Sequence, residues 1–185
     1  MSAEQVSPSP PERIDLGDAV LTRLRGGDAR SMAAAVAANL AHLRPWIGWG
    51  TEEGATLAFQ ERRCAEAEHL WDAGSDYIYT LREQPDGPVI GGMGLHRRVG
   101  PDAIEIGYWL DAGHTGRGLA TRGALALTGH ALALPGVRRV EIHTDEQNLA
   151  SAAVPARLGY RLVRVEDAEP FGEASSDRLQ IWVTP

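Results

Sequence analysis

The segment from Trp109 to Arg122, WLDAGHTGRGLATR, contains the residues best suited to bind an anion. Three glycines, Gly113, Gly116 and Gly118, lie between an apolar stretch and a long run rich in Ala and Leu. A helix that begins after such a turn presents backbone N–H groups without intrahelical partners, at the positive end of its dipole. The pattern therefore predicts a phosphate-binding turn, although an ordinary strand-to-helix turn can carry the same glycines.

Two better-known phosphate loops do not fit this turn. A Walker loop requires a lysine, and every one of the 18 basic residues is an arginine, which also excludes a Schiff-base lysine. A dinucleotide-binding fingerprint requires a third glycine early in a βαβ unit. Here the order Gly116-Arg117-Gly118-Leu119-Ala120 lacks that glycine and follows several predicted strands.

A second segment, Asp145–Tyr160, places polar side chains at the predicted start of a helix. Asn148 and Ser151 are three residues apart, so a helix brings both to one face, where either a helix cap or a binding role is open. Pro155 lies inside the same predicted helix, and we expect it to kink the helix or loosen its first turn.

The elements around these segments alternate between strand-like and helix-like patterns. Seven strands are predicted, at Ala19–Leu24, Asp76–Arg82, Val89–Val99, Ala103–Leu110, Val137–Thr144, Tyr160–Val165 and Arg178–Val183. Four helices are predicted, at about Ala29–Ala41, Gly54–Ala73, Gly118–Leu134 and Asn148–Leu158. Tight turns between the second, third and fourth strands predict an antiparallel meander, and the fourth and fifth can be parallel across their helical crossover. The sequence thus predicts an α+β, or mixed α/β, domain.

Composition limits the classes of function. The chain has 185 residues and a net charge of −7, which fits one domain at 16–185 behind a flexible tail at 1–15. The acidic balance argues against nucleic-acid binding and suits a cationic substrate, or only solubility. Cys64 is the single cysteine, so neither an intrachain disulfide nor a cysteine-rich metal site is expected. The N-terminus resembles no signal peptide and no apolar run spans a membrane, so we expect a cytoplasmic protein.

The motifs EIGYWL, TGRGLATRGALAL, VEIHTDEQNLAS and LGYRL, in this order, resemble the GNAT superfamily of N-acetyltransferases. Leu43-Arg44-Pro45-Trp46 is also similar to the branch that acetylates N-termini of ribosomal proteins. The resemblance extends from about Ala19 to Val183. It implies a GNAT-like fold, with a central, mostly antiparallel twisted sheet of about seven strands and about four helices. The sheet is expected to splay between the fourth and fifth strands.

The resemblance implies that acetyl-CoA, or another acyl-CoA such as succinyl-CoA, is the acyl donor, with no metal. The amides of Gly116 through Thr121 would hold its pyrophosphate, with Arg117 adding a charged contact, although Thr115 stands where the family usually has Arg or Gln. The pantetheine arm would lie along the strand edge beside the splay. The implied cofactor-binding residues are therefore Tyr108, Trp109, Leu110, Thr115, Gly116, Arg117, Gly118, Leu119, Ala120, Thr121, Asn148 and Ser151.

The resemblance also suggests catalytic residues for an attack by an amine. Many relatives use a helix tyrosine to protonate the leaving thiolate, but the matching place near Pro155 has none. Ser151 is therefore the candidate acid, as in the branch this chain resembles. Glu105 and His143 are candidate bases, with a water chain as the other possibility, because a proton must leave the amine. Both could equally be structural side chains of the sheet.

The expected acceptor is a protein N-terminus or a small-molecule amine. Trp46, Trp49 and the acidic loop Glu166–Asp177 would line its site. The missing helix tyrosine leaves open a non-catalytic acyl-CoA-binding regulatory module, and a homodimer is possible because dimers are common in the family. Acylation of aminoacyl-tRNA is disfavoured, since no basic cluster is present.

Overall fold

A computed structural model describes residues 9–185, which form a single sheet flanked by helices. Within them the strands are β1 (Arg13–Asp15), β2 (Val20–Arg23), β3 (Asp76–Arg82), β4 (Gly91–His96), β5 (Ala103–Leu110), β6 (Arg139–Asp145), β7 (Arg161–Asp167) and β8 (Arg178–Val183). The helices are α1 (Ala29–Ala38), α2 (Leu40–Leu43), α3 (Leu57–Asp72), α4 (Leu119–Leu132) and α5 (Leu149–Arg157). The predicted mixed α/β fold is thus confirmed, with eight strands and five helices across the described range.

The structure contains one strand, β1, and one helix more than the sequence predicts. Arg13–Asp15, which the sequence analysis assigned to the N-terminal tail, pair antiparallel with β2, while residues 1–8 of that tail lie outside the described range. Asn39 divides the predicted first helix into α1 and α2, because its backbone leaves the helical region. Its side chain donates to the carbonyl of Ala35 and to Asp111, which joins the end of α1 to the turn after β5.

The sheet order is β1-β2-β3-β4-β5-β6-β8-β7, and β5 and β6 are its parallel neighbours. Their pairing covers only three residue pairs and ends at Glu105 opposite Glu141. After this point β5 and β6 diverge, which is the splay predicted between the fourth and fifth strands of the sequence analysis. The last strand, β8, inserts between β6 and β7, so the chain does not end at the sheet edge.

Side chains of β5 alternate between two hydrophobic clusters. Ile104 and Ile106 pack with residues of α4, whereas Trp109 packs with residues of α1 and α3. The alternation of a strand places Glu105 on the Trp109 side and Tyr108 on the opposite side. The diverging strands therefore separate two environments, one facing α3 and the other facing α5.

Candidate active site

The turn between β5 and α4 has the backbone that its glycines predict. Gly116 and Gly118 have φ values of 75° and 73°, in the left-handed region that residues with a Cβ rarely adopt. Nothing lies within 4 Å of the position of a Cβ at Gly116, so the turn is open on this side. The hydrogen bond that closes the first turn of α4 runs from the Arg122 amide to the Gly118 carbonyl. The amides of residues 119–121 therefore remain available for an anion.

Two arginines, Arg117 and Arg122, lie close to this turn, and they differ in whether they face the cavity. Arg117 forms an ion pair with Glu83, with 2.7 Å between Nη1 and Oε1, and does not line the cavity behind the turn. Arg122, in the first turn of α4, does line it. The Nη2 of Arg122 contacts Asp18, while its buried Nε has no hydrogen-bond partner in the described range. The arginine that lines the cavity next to the turn is thus Arg122 and not Arg117, the residue for which the family motif implied a phosphate contact.

The carboxylate of Asp111 holds the turn in place from the end of β5. It accepts hydrogen bonds from the side chain of Asn39, from the ring of His114 and from the Gly113 amide. These contacts, that from Asn39 first, lower the pKa of Asp111. Because Asn39 also accepts from the Ala112 amide, the turn is fixed from the side of α1.

Pro155 leaves a free carbonyl that binds a tyrosine. Proline has no N–H, so the carbonyl of Ser151, four residues earlier in α5, loses its intrahelical partner. The hydroxyl of Tyr108 donates to this carbonyl at 2.9 Å, and the hydroxyl of Ser151 donates to the Tyr108 hydroxyl at 3.2 Å. Burial raises the pKa of Tyr108, so the phenol remains a neutral donor. A phenol thus reaches α5 from β5, although α5 itself contains no tyrosine.

Asn148 is the N-cap of α5. Its side-chain oxygen accepts a hydrogen bond from the Ser151 amide at 3.1 Å, so the capping role that its spacing suggested is present. Asn148 also lines the cavity, and its side-chain amide group remains free to contact a ligand there. The cap fixes the first turn of α5 and with it the position of the Ser151 hydroxyl.

Glu105 is held by an arginine. The side chain of Arg98 donates to both carboxylate oxygens, at 2.7 and 2.6 Å. Burial disfavours the charged carboxylate, but the hydrogen bonds and the charge of Arg98 outweigh this effect and lower the pKa of Glu105. Glu105 is therefore an ionised carboxylate whose lone pairs are engaged, which makes it a weak proton acceptor.

His143 lies between two carboxylates at the point where β5 and β6 separate. Its Nε2 is 2.7 Å from Glu141, and its Nδ1 is 3.9 Å from Glu105. With the proton on Nε2, bonded to Glu141, Nδ1 keeps a lone pair that accepts no hydrogen bond within residues 9–185. His143 thus has the geometry of a proton acceptor, and Glu141 and Glu105 orient it.

One cavity of about 1200 Å³ brings the predicted site residues together. It is larger than a typical single-ligand pocket and has room for a coenzyme and an acceptor. Apart from Arg117 and the acidic residues of the loop Glu166–Asp177, the predicted site residues line it, namely Trp46, Trp49, Glu105, Tyr108, Trp109, Leu110, Thr115, Gly116, Gly118, Leu119, Ala120, Thr121, His143, Asn148 and Ser151. The cavity passes between the diverging strands, so residues from both sides of the sheet contribute.

The segment predicted as an acidic loop, Glu166–Asp177, covers the end of β7 and the loop after it, and Phe171 is its residue that lines the cavity. Phe171 lines the cavity and its carbonyl packs against Gly48, whereas Glu166, Asp167, Glu169 and Glu173 do not line it. Three of these carboxylates form ion pairs elsewhere: Glu166 with Arg164, Asp167 with Arg178 and Glu173 with Arg44. Asp145 anchors the loop through Ser175 and Ser176.

His96 and Arg63 also line this cavity, although no sequence motif identified them. The His96 ring lies over Gly94 and Gly107, and its Nδ1 is 2.7 Å from Asp76. Arg63 stacks on Trp49, with 3.9 Å between the guanidinium carbon and the ring centroid. The alternation of His96 with glycines along β4 was an available signal for it. Arg63 had none, since it is one of two adjacent arginines on a polar helix.

The open mixed sheet, the splay and the glycine-rich start of α4 define a mixed α/β protein of the GNAT fold class. Residues 19–161 match the family described as acetyltransferase (GNAT) domain. Because this match covers more than half of the chain, the chain belongs to the GNAT acetyltransferase family. Among the described residues there is no helix long and apolar enough to cross a membrane. Nor do residues 9–185 contain a group of three side chains arranged to hold a metal ion.

Individual relatives agree with this family. The probable N-acetyltransferase YjcK of Bacillus subtilis (strain 168) is 25% identical over 107 residues, which cover 57% of this chain and 59% of that protein. The chain therefore matches about three fifths of the length of this curated relative.

Two solved structures share the fold. Ribosomal-protein-S5-alanine acetyltransferase from Vibrio fischeri has a TM-score of 0.83 at 17% identity and covers 93% of this chain and 95% of its own. RimL, a ribosomal L7/L12 alpha-N-protein acetyltransferase solved with coenzyme A, has a TM-score of 0.82 at 20% identity, covering 94% and 97%. Both are ribosomal-protein N-acetyltransferases, the branch that the sequence motifs resemble.

The pKa of Glu105 leads to a prediction about stability. Because the native pKa is lowered, ionised Glu105 stabilises the fold above its unfolded pKa of about 4.3, and this contribution is lost as pH falls through the native pKa. We expect Glu105→Gln to lower the free energy of unfolding by about 1–2 kcal/mol at pH 7, since Arg98 remains partly solvated. The difference from the unsubstituted chain should narrow below about pH 5 in urea titrations.

Glu166→Gln is the matched control for this titration. Glu166 pairs with Arg164 on the exposed strand β7, so its removal should change the free energy of unfolding by at most about 0.5 kcal/mol. A Glu105→Gln deficit that stayed constant from pH 7 to about pH 3 would contradict the assigned ion pair.

Proposed function

We propose that this chain transfers the acetyl group of acetyl-CoA to a primary amine, by direct attack of the amine while both substrates are bound. The observation that carries the proposal is the single cavity through the β5–β6 divergence. It joins the turn at Gly116–Gly118, the hydroxyl pair of Tyr108 and Ser151, and the imidazole of His143. An anion site, a proton donor and a proton acceptor are the groups that this reaction requires.

The residues of the turn fit a coenzyme A pyrophosphate. The amides at the start of α4 are free, the left-handed glycines leave the turn open, and the buried Nε of Arg122 lacks a partner in the described chain. A pyrophosphate supplies the acceptor oxygens that these donors lack. When bound, acetyl-CoA supplies an acetyl group activated as a thioester. Residues 108–110, whose strand edge has no β6 partner, would lie along the pantetheine arm.

The proposed base is His143. A primary amine is largely protonated at neutral pH and must lose a proton to attack. Nδ1 of His143 would take this proton directly or through one water, and the resulting imidazolium would lie between Glu141 and Glu105. Glu105 is proposed to orient and stabilise this group, since Arg98 occupies both of its oxygens.

The proposed acid is Ser151, supported by Tyr108. The Ser151 hydroxyl would rotate to donate its proton to the departing sulfur and would regain a proton from solvent, while the Tyr108 phenol, which stays neutral, holds Ser151 in position through its own hydrogen bond to the Ser151 carbonyl. In this arrangement the acid lies on the α5 side of β5 and the base lies on the α3 side. The amine would therefore enter from the α3 side, where Trp46 and Trp49 line the cavity.

A protein N-terminus or a small-molecule amine is the proposed acceptor class. Its support is the likeness in fold to enzymes that, by their names, acetylate ribosomal proteins. Three further points remain predictions: that succinyl-CoA can serve as donor, that the protein forms a homodimer, and that it has no nucleic-acid partner.

The test is a thiol-release assay with acetyl-CoA and succinyl-CoA against N-terminal peptides, polyamines, aminoglycosides and amino acids, with product mass spectrometry. We expect turnover with acetyl-CoA and one amine class. Tight acetyl-CoA binding by calorimetry without any turnover would favour a regulatory binding module. The absence of acetyl-CoA binding would overturn the proposal.

Variants of the hydroxyl pair test the acid. We expect Ser151→Ala to lower kcat about 10- to 100-fold and Tyr108→Phe to lower it about 10-fold, with acetyl-CoA affinity retained. Tyr160→Phe is the control, because this buried phenol bonds to Thr128 outside the cavity and its loss should leave kcat unchanged. Full activity of Ser151→Ala would exclude Ser151 as the acid.

A pH profile tests the base. We expect His143→Gln to lower kcat/KM about 100-fold at pH 7 and less at higher pH, where more of the acceptor amine is already neutral. His69→Gln, on the exposed face of α3, should match the unsubstituted chain at every pH. A loss that did not change with pH would indicate that His143 only supports the structure.

A further inference from the structure

Arg63 is a cavity residue that forms no ion pair within residues 9–185, although the charge of Glu66, three residues further along α3, favours its charged form. It lies on α3, and its guanidinium stacks on the ring of Trp49 at 3.9 Å. Its Nη1 is buried and makes no hydrogen bond with any residue in the range 9–185. Stacking satisfies one face of the guanidinium but none of its N–H donors, which lie in the plane of the group. An oxyanion in that plane would satisfy them.

The other charged groups of the cavity cannot supply this oxyanion. The Glu105 carboxylate is bound at both oxygens by Arg98, and that of Asp145 is bound by Ser175, Ser176 and the Gln147 amide. Burial lowers the pKa of Arg63 to about 10, which still leaves the side chain charged at neutral pH. An unpaired charge in such a place costs stability unless a ligand completes it.

The position of Arg63 associates it with the acceptor and not with the coenzyme. Trp49 contacts Trp109 edge to face, with 5.9 Å between ring centroids. Trp109 shares its side of β5 with Glu105, the side on which His143 lies. The hydroxyls of Tyr108 and Ser151 lie on the opposite side, towards α5, and the anion-binding turn has its own arginine, Arg122.

We propose that the acceptor carries an oxyanion, a carboxylate or a phosphate, in addition to its amine, and that Arg63 binds this group. This inference rests on the proposed acetyl transfer and specifies its substrate class. The favoured acceptors are amphoteric: free amino acids, peptides with an acidic group near the N-terminus, or aminoalkyl phosphates. Purely cationic amines such as polyamines and aminoglycosides would leave the Arg63 donors unpaired and are disfavoured.

The test compares acceptors that differ only in the anion. The pairs are an amino acid and its amide, N-terminal peptides with Asp or Asn at the second position, and an aminoalkyl phosphate and its amino alcohol. We expect kcat/KM to favour the anionic member of at least one pair by about 10- to 100-fold, the range of one charged hydrogen bond. The pair with the largest ratio identifies whether the oxyanion is a carboxylate or a phosphate.

Variants at two adjacent arginines make the test specific. We expect Arg63→Gln to abolish the preference by raising the acceptor KM of the anionic member, while the KM of acetyl-CoA stays unchanged. Arg63→Lys should retain part of it, because the charge remains without the planar fork. Arg62→Gln is the control, since Arg62 is exposed on the same helix and does not line the cavity. Equal use of both members of every pair, or equal losses for both in Arg63→Gln, overturns the inference.

A binding experiment answers the same question if none of these amines is acetylated. Acetate and inorganic phosphate are titrated into the protein saturated with coenzyme A, so that the coenzyme sites are filled, and thermal stabilisation is measured. Stabilisation by either anion that Arg63→Gln removes and Arg62→Gln keeps supports the inference, and no stabilisation overturns it. Failure of the proposed function is a separate outcome: acetyl-CoA does not bind in the calorimetric titration, or it binds and no amine is turned over, whereas the anion titration depends on Arg63 and not on turnover.

Discussion

The divergence of β5 from β6 is the constraint on which the whole site depends. The strands pair only as far as Glu105 and Glu141, so the β6-facing edge of β5 beyond this point has no strand partner. Backbone groups left in this way need another partner, and an extended ligand can supply one. The same gap connects the two sides of the sheet. It therefore allows a donor bound towards α5 to meet an acceptor bound towards α3.

Ion pairing decides which charged groups of the cavity remain available for chemistry. Arg98 neutralises Glu105, and hydrogen bonds from the loop after β7 occupy Asp145. These pairs convert acids that could attract an amine into fixed structural groups. Two groups remain within residues 9–185: His143, whose Nδ1 accepts no hydrogen bond there, and Arg63, which forms no ion pair there. A protein of net charge −7 thus presents an uncompensated positive charge where its acceptor would bind.

Pro155 in α5 determines a contact between α5 and β5, on the side of the sheet opposite His143. By removing one helical hydrogen bond it frees the Ser151 carbonyl, and Tyr108 takes the place of the missing donor. A hydroxyl pair therefore lies beside α5, although α5 itself contains no tyrosine. The structural cost of Pro155 within a helix is thereby offset by a contact that also positions the proposed acid.

The sequence by itself determined those strands, helices and turns that depend only on residues near one another in the chain. The bounds of Asp76–Arg82 and Ala103–Leu110 and the glycine-rich start of α4 follow from alternation and backbone conformation, which neighbouring residues specify. Tertiary structure decided which charged groups meet, such as Arg117 with Glu83, and where β8 inserts. Tertiary structure also decided that Arg63 stacks on Trp49 and that its Nη1 has no hydrogen-bond partner in the described residues. These contacts join residues far apart in the chain, and only the order and divergence of the strands set the distances between them.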